Sequence, residues 1–249
     1  MISVTSSRGR TDSASSVMHA TAAGSEARFD VEKGSIPNLG VFSPGPHAVV
    51  IVRNGGKEII FLNPDQKQYV SIKPFEMMEG MQKMLEGMGG SMNVDTSATR
   101  ISLDSLGPGP AFDGHPTLTY RLTAVMRMTI SMMGQRNVID SQSTQDIQSA
   151  TDAGDFTDVT GMTRFAELSQ SMGFSRGYFD SLAKVRSKIR GVPLRIVNHT
   201  TTSANGTTRS AMQTIETRNV KRRSVPDSLF AVPADYKPIA MPAMPGTGM

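Results

Sequence analysis

Residues 118–132 read Leu118-Thr119-Tyr120-Arg121-Leu122-Thr123-Ala124-Val125-Met126-Arg127-Met128-Thr129-Ile130-Ser131-Met132. Leu118, Tyr120, Leu122, Ala124, Met126, Met128, Ile130 and Met132 share one side of an extended chain. Thr119, Arg121, Thr123, Arg127, Thr129 and Ser131 share the other, the period of two that marks a half-buried β-strand. At ~3.3 Å per residue the strand is longer than usual. It suits a large curved antiparallel sheet, solvated on its convex side and apolar on its concave side.

The flanking sequence supplies more strands. Val49-Val50-Ile51-Val52-Arg53 and Lys57-Glu58-Ile59-Ile60-Phe61 flank Asn54-Gly55-Gly56, whose residues tolerate positive φ, and predict a hairpin. Asn63-Pro64-Asp65-Gln66 is a proline-preset turn leading into Gln68-Tyr69-Val70-Ser71-Ile72, which makes a three-stranded meander. Residues 194–202 and 208–220 are rich in Thr, Ile and Val around Asn205-Gly206, a type I′ hairpin signal. Ile2 to Ser7, Ser16 to Ala22 and Arg28 to Glu32 are weaker strand candidates.

Two stretches have helical spacing instead. In residues 74–88, Phe75, Met77, Met78, Met81, Met84, Leu85 and Met88 follow an N-terminal proline, with Glu79 and Lys83 paired at i,i+4. Residues 163–189 carry Phe165, Leu168, Met172, Phe179, Leu182, Val185 and Ile189, with interruptions at Gly173 and Gly177 that divide them into two helices. Gly87 to Ser91 and Gly107-Pro108-Gly109-Pro110 read as breaks. The expected fold is therefore mainly β (α+β): a large curved antiparallel sheet or incomplete β barrel covered by two or three helices. It forms one domain over residues 1–239, followed by a disordered Pro/Met/Gly tail at 240–249.

Composition narrows the chemistry. The 249 residues contain no cysteine, which excludes disulfides, thiolate zinc, iron–sulfur clusters and cysteine nucleophiles. The net charge is only +4, and the basic groups, Lys221-Arg222-Arg223 and Lys184, Arg186, Lys188 and Arg190, fall short of a phosphate-tracking stripe, so no nucleic-acid partner is expected. No apolar run approaches the ~20 residues of a membrane span. Met1-Ile2-Ser3-Val4-Thr5 lacks signal-peptide character, which fits either a cytoplasmic protein or one whose leader lies upstream.

Catalytic motifs are lacking. His19, His47, His115 and His199 are dispersed and match no metal-ligand spacing, and neither a metal nor an organic cofactor is expected. Gly55-Gly56-Lys57 lacks the upstream glycine, the following Ser or Thr and the helix of a phosphate loop. Asp152, Asp155 and Asp158 do not alternate as calcium ligands do, and read as a solvated acidic loop. No Gly-x-Ser-x-Gly elbow is present. The sequons at Asn198 and Asn205 carry no assigned role. Methionine is the unusual feature: 18 residues, concentrated in residues 74–92 and 125–133. Thioethers fill cores, and they also make adaptable apolar surfaces for a ligand.

The order of elements resembles the LolA/LolB-like superfamily of bacterial lipoprotein carriers, and within or near it an uncharacterised envelope family, a domain of unknown function. The motifs are Ala27-Arg28-Phe29-Asp30, Asn63 to Tyr69, Phe112-Asp113-Gly114-His115-Pro116-Thr117, Arg190-Gly191-Val192-Pro193-Leu194 and the closing stretch from Asp227 to Lys237. The resemblance implies an incomplete barrel with helices over an apolar cavity, a periplasmic or secreted location, and lipid or lipoprotein partners. The absence of a lipid-attachment cysteine departs from anchored members. In the closing stretch, Leu229, Phe230 and Val232 are expected to plug the barrel edge, with Pro233 ending strand pairing and Tyr236 packing behind.

The functional expectation is a non-enzymatic soluble envelope protein. Its concave face, with Leu118, Tyr120, Leu122, Met126, Met128 and Met132, would bind an acyl chain, lipid or lipidated partner beneath the helix carrying Met77, Met78, Met81 and Met84. The alternatives are a protein-interaction scaffold with a filled core, and a hydrolase assembled around His115 or His199 with a nearby carboxylate.

Overall fold

Strands need partners, and the predicted ones find them in two sheets rather than one. The computed structural model describes residues 2–7, 10–34, 36, 39, 42–132, 134–153 and 176–240. It is 60% strand and 13% helical, which places the chain in the mainly β class. The chain divides into two compact units: residues 1–14, 85–157 and 173–221 form the first, and residues 15–84, 158–172 and 222–249 the second.

The first unit holds a seven-stranded sheet built from β1 (Ile2–Ser7), β2 (Arg10–Ser15), β8 (Ser91–Phe112), β9 (His115–Met132), β10 (Gln135–Ala150), β11 (Val192–Ala204) and β12 (Thr207–Glu216). Their order is β2-β1-β12-β11-β10-β9-β8, open at both ends, so no barrel closes. Two-residue turns set the registers. Ala204 pairs with Thr207 around Asn205 and Gly206 (φ 49° and 73°), and Phe112 pairs with His115 around Asp113 and Gly114 (φ 51° and 83°). Both are Asx-Gly sequences with positive φ at each central residue, the type I′ signature.

Gly107-Pro108-Gly109-Pro110 does not break the chain, contrary to the sequence reading. It lies inside β8, with Pro108 opposite Leu118 and Gly109 opposite Thr117. β8 is the last strand of the sheet, where a proline costs no ladder hydrogen bond on its solvent side. Register shifts between Ser105 and Gly107 and between Gly109 and Phe112 absorb the irregular backbone.

The second unit holds β3 (Val17–Ala23), β4 (Glu26–Lys33), β5 (Val49–Arg53), β6 (Glu58–Asn63), β7 (Gln68–Ile72) and β13 (Lys237–Pro238), in the order β13-β7-β6-β5-β4-β3. β5 and β6 are buried on both faces, which is why they read as continuous apolar runs rather than alternating ones. One face packs Phe29, Val50, Val52, Ile59 and Phe61 with Ile36 and Phe42. The other packs Val49, Ile51, Ile60 and Leu62 with Phe230, flanked by Leu229, Val232 and Tyr236. The closing stretch thus covers a sheet face; it does not plug a barrel edge. Arg28 Nη1 donates to Leu229 O (3.2 Å) and Arg53 Nε to Phe230 O (2.9 Å), which ties the stretch down.

The helix predicted at 74–88 is α1 (Pro74–Gly87). Of the two helices predicted within 163–189, the second is α2 (Arg176–Arg186); the first lies outside the described residues, as does the tail beyond residue 240.

Among the described residues, Gly191 is the tightest glycine of the first unit. It has φ +81°, and a Cβ there would fall on the carbonyl of Ala150. Gly206 has φ +73° with open space around it. Gly206→Ala should cost about 1 kcal/mol through backbone strain alone. Gly191→Ala should cost about 3 kcal/mol or more, because a backbone must also move. Equal losses in urea denaturation would refute the close approach at Gly191.

Candidate ligand-binding face

The stripe on β9 is buried as its alternation predicts. Tyr120, Leu122, Ala124, Met126 and Met128 are buried, and Leu118 is half-buried. Arg121 and Arg127 are exposed on the opposite face. Met77 and Met84 are half-buried on α1, in the second unit. The expectations for the Met78, Met81 and Met132 side chains fall outside the described residues.

The helix packed on the Leu118–Leu122 end of the stripe is α2. Leu182 joins Tyr120, Leu122, Ile147 and Ile196 in one cluster, with Tyr178, Val185 and Ile189 against it. The amide of Arg190, just past α2, donates to the Tyr120 hydroxyl (3.4 Å).

Directly opposed residues of an antiparallel ladder share a face, so the registers extend each β9 position into a row across the sheet. Tyr120, Ile147, Ile196 and Ile215 form an apolar row beneath α2. The next row is Leu103, Leu122, Gln145, Asn198 and Gln213. After it come Ile101, Ala124, Ser143, Thr200 and Ala211, and then Met126, Ser141 and Thr202. The inner face is therefore not uniformly apolar. An apolar lane on β8 and β9 runs beside a lane of amides and hydroxyls on β10 and β11.

The polar lane contains residues that the sequence reading missed. Gln145, Asn198 and Arg186 are each more than nine-tenths buried. Arg186 Nη2, from the last turn of α2, donates to Gln145 Oε1 at 2.6 Å. Buried polar groups require such partners. Asn198 Oδ1 has no hydrogen-bond partner. The available signal was the placement of charge. Asp140 and Asp146 on β10, and Arg195 and His199 on β11, occupy one parity, which assigns the other parity to the inside.

The outer face is held by ion pairs across β9 and β10. Arg121 donates to both carboxylate oxygens of Asp146 (2.7 and 2.8 Å), and Arg127 to both of Asp140 (2.7 and 3.2 Å). These bonds hold the Asp140 and Asp146 carboxyls below the usual range. Asp95 is also lowered, first by the Ser97 hydroxyl and then by the Ala98 amide. Exposed pairs of this kind contribute little each.

At the hairpin end, His115 Nδ1 lies 2.9 Å from Asp152 Oδ1, so the imidazole does have a carboxylate partner. Thr117 of the same strand donates its hydroxyl to Pro110 O rather than presenting a nucleophile. Asp155 and Asp158 lie outside the described residues. His199 is exposed on the outer face. Among the described residues no group of three or more His, Asp or Glu is placed to hold a metal ion, and no helix is long and apolar enough to cross a membrane.

No family model, curated protein or solved structure matches the chain.

Two outcomes follow from these contacts. Gln145→Ala removes the acceptor that Arg186 Nη2 uses and should cost about 2 kcal/mol in chemical denaturation; a neutral result would mean that the bond is dispensable. The Asp146 carboxyl is depressed on folding, so its stabilisation is complete above the ordinary Asp value of about 3.9 and is lost as the pH falls through the depressed one. Asp146→Asn should therefore lower the melting temperature at pH 7, and the difference should shrink as the pH falls below the ordinary Asp value. A difference independent of pH would refute the ion pair as its source.

Proposed function

We propose that this chain is a non-enzymatic carrier of the cell envelope that binds an acyl chain, a lipid or a lipidated partner on the inner face of its seven-stranded sheet. The observation that carries the reading is the continuous β9 stripe of Leu122, Ala124, Met126 and Met128, an apolar lane rich in flexible thioethers. The resemblance to LolA/LolB-like carriers agrees with that reading and with a periplasmic or secreted location.

One observation favours the scaffold alternative. Leu122 and Met126 are only 1% and 2% exposed, as they would be in a filled core that binds nothing.

The two readings separate by native mass spectrometry before and after delipidation, followed by titration with a fluorescent fatty acid. The carrier retains a lipid adduct or binds the probe saturably, and Met128→Asp, verified as folded, loses at least tenfold in affinity, or about 1.4 kcal/mol. A folded, delipidated wild-type protein that binds no probe would leave the scaffold reading standing.

A further inference from the structure

Two open sheets have four edges, and three of them carry obstacles to further pairing. β8 holds Pro108 and Pro110 and shifts its register, β13 is two residues long and ends in Pro238, and β2 includes Arg10 and Asp12. β3, the last strand of the six-stranded sheet, has none of these. It reads Val17-Met18-His19-Ala20-Thr21-Ala22-Ala23, without proline, glycine, Lys, Arg or a carboxylate. Among the described residues it pairs with β4 alone. Val17 is 47% exposed, and His19 and Ala20 are exposed beside it.

The ladder of β4 shows which backbone groups face this flank. The Val31 amide donates to Ala48 O, on the β5 side. Alternation along β4 then turns Asp30 and Arg28 toward β3, where they pair with His19 and Thr21. Met18, Ala20 and Ala22 therefore direct their N–H and C=O groups away from β4.

The same strand fits an antiparallel copy of itself. About a two-fold axis at Ala20, Met18 meets Ala22, Val17 meets Ala23 and His19 meets Thr21. Each larger apolar side chain lies opposite a methyl group, and no like charges are opposed. Met18 and Ala22 pack at the margin of the same core as Phe29 and Phe61, so the axis joins like face to like face. The outward groups of Met18, Ala20 and Ala22 supply about six hydrogen bonds across it.

We infer that the chain forms a homodimer by antiparallel pairing of β3 with β3 of a second copy, centred on Ala20. The two six-stranded sheets become one continuous sheet, and the two-fold closes on itself rather than growing into a filament. This goes beyond the ligand-binding reading and does not depend on it.

Sedimentation velocity of the full-length protein should show a species of twice the 26.8 kDa chain mass. A wild type that stays monomeric up to about 100 µM would overturn the dimer. Ala20→Lys sets two ammonium groups against each other at the axis and should raise the dimer Kd at least tenfold, with circular dichroism confirming the fold. A folded lysine variant that dimerises like wild type would overturn the β3 interface. Ala20→Cys gives a second reading that does not need the lysine variant to fold. The chain has no other cysteine, and paired Cα atoms at the axis would stand about 5.5 Å apart, within disulfide reach. Mild oxidation should link two chains through position 20, whereas Lys57→Cys, exposed on another turn, should stay unlinked. A dimer whose position 20 does not crosslink, or equal crosslinking of both variants, would overturn the pairing about Ala20.

Discussion

The first unit depends on the phase of β9 against its two neighbours. Leu122 lies opposite Leu103 on one side and Gln145 on the other, and Arg121 lies opposite Asp104 and Asp146. Because side chains alternate, a slip of one residue would carry Arg121 and Arg127 inward and expose Leu122 and Met126. The penalty of burying two guanidinium groups and the bidentate pairs they form outside enforce the same register. Every row described above inherits its position from that choice.

The second unit solves a different problem. A sheet with two apolar faces needs two covers, and it draws them from opposite ends of its sequence. Ile36 and Phe42, between β4 and β5, pack on one face. Phe230 and its neighbours, nearly two hundred residues later, pack on the other. The last residues of the described chain return to the sheet: the Lys237 amide donates to Lys67 O and the Ile239 amide to Tyr69 O. The tertiary contacts of the closing stretch follow from its apolar residues, and β13 runs parallel to β7.

Much of the fold was legible because it is local. Asn205-Gly206, Asn54-Gly55-Gly56 and the strict alternation of 118–132 each state their conformation within a few residues. Gly107 to Pro110 was misread because the tolerance of a strand for proline depends on whether another strand lies beside it, which is a property of the sheet. The division into two sheets was hidden for a similar reason: β2 and β3 are separated by Ser16 alone, yet belong to different units. The polar lane escaped because Ser141, Ser143 and Gln145 barely contrast with the polar residues between them, so on β10 only the charges of Asp140 and Asp146 mark the outside. The register with β9 then identifies its inner face. The candidate site was thus half legible, in its apolar lane.

The prolines of β8 also bear on solution behaviour. An outermost strand of 22 residues would ordinarily offer a long template on which a second molecule could polymerise. Pro108 and Pro110 remove two donors from it, and between Asp95 and Arg100 the backbone leaves the ladder, where the Asp95 carboxylate instead accepts from the amides of Ser97 and Ala98. What is left between these interruptions is the short stretch from Arg100 to Ser105, with charge at Arg100 and Asp104. The irregularities that obscured this strand in the sequence therefore act as guards against fibrous self-association, protecting a sheet that has no closure to hide its rim.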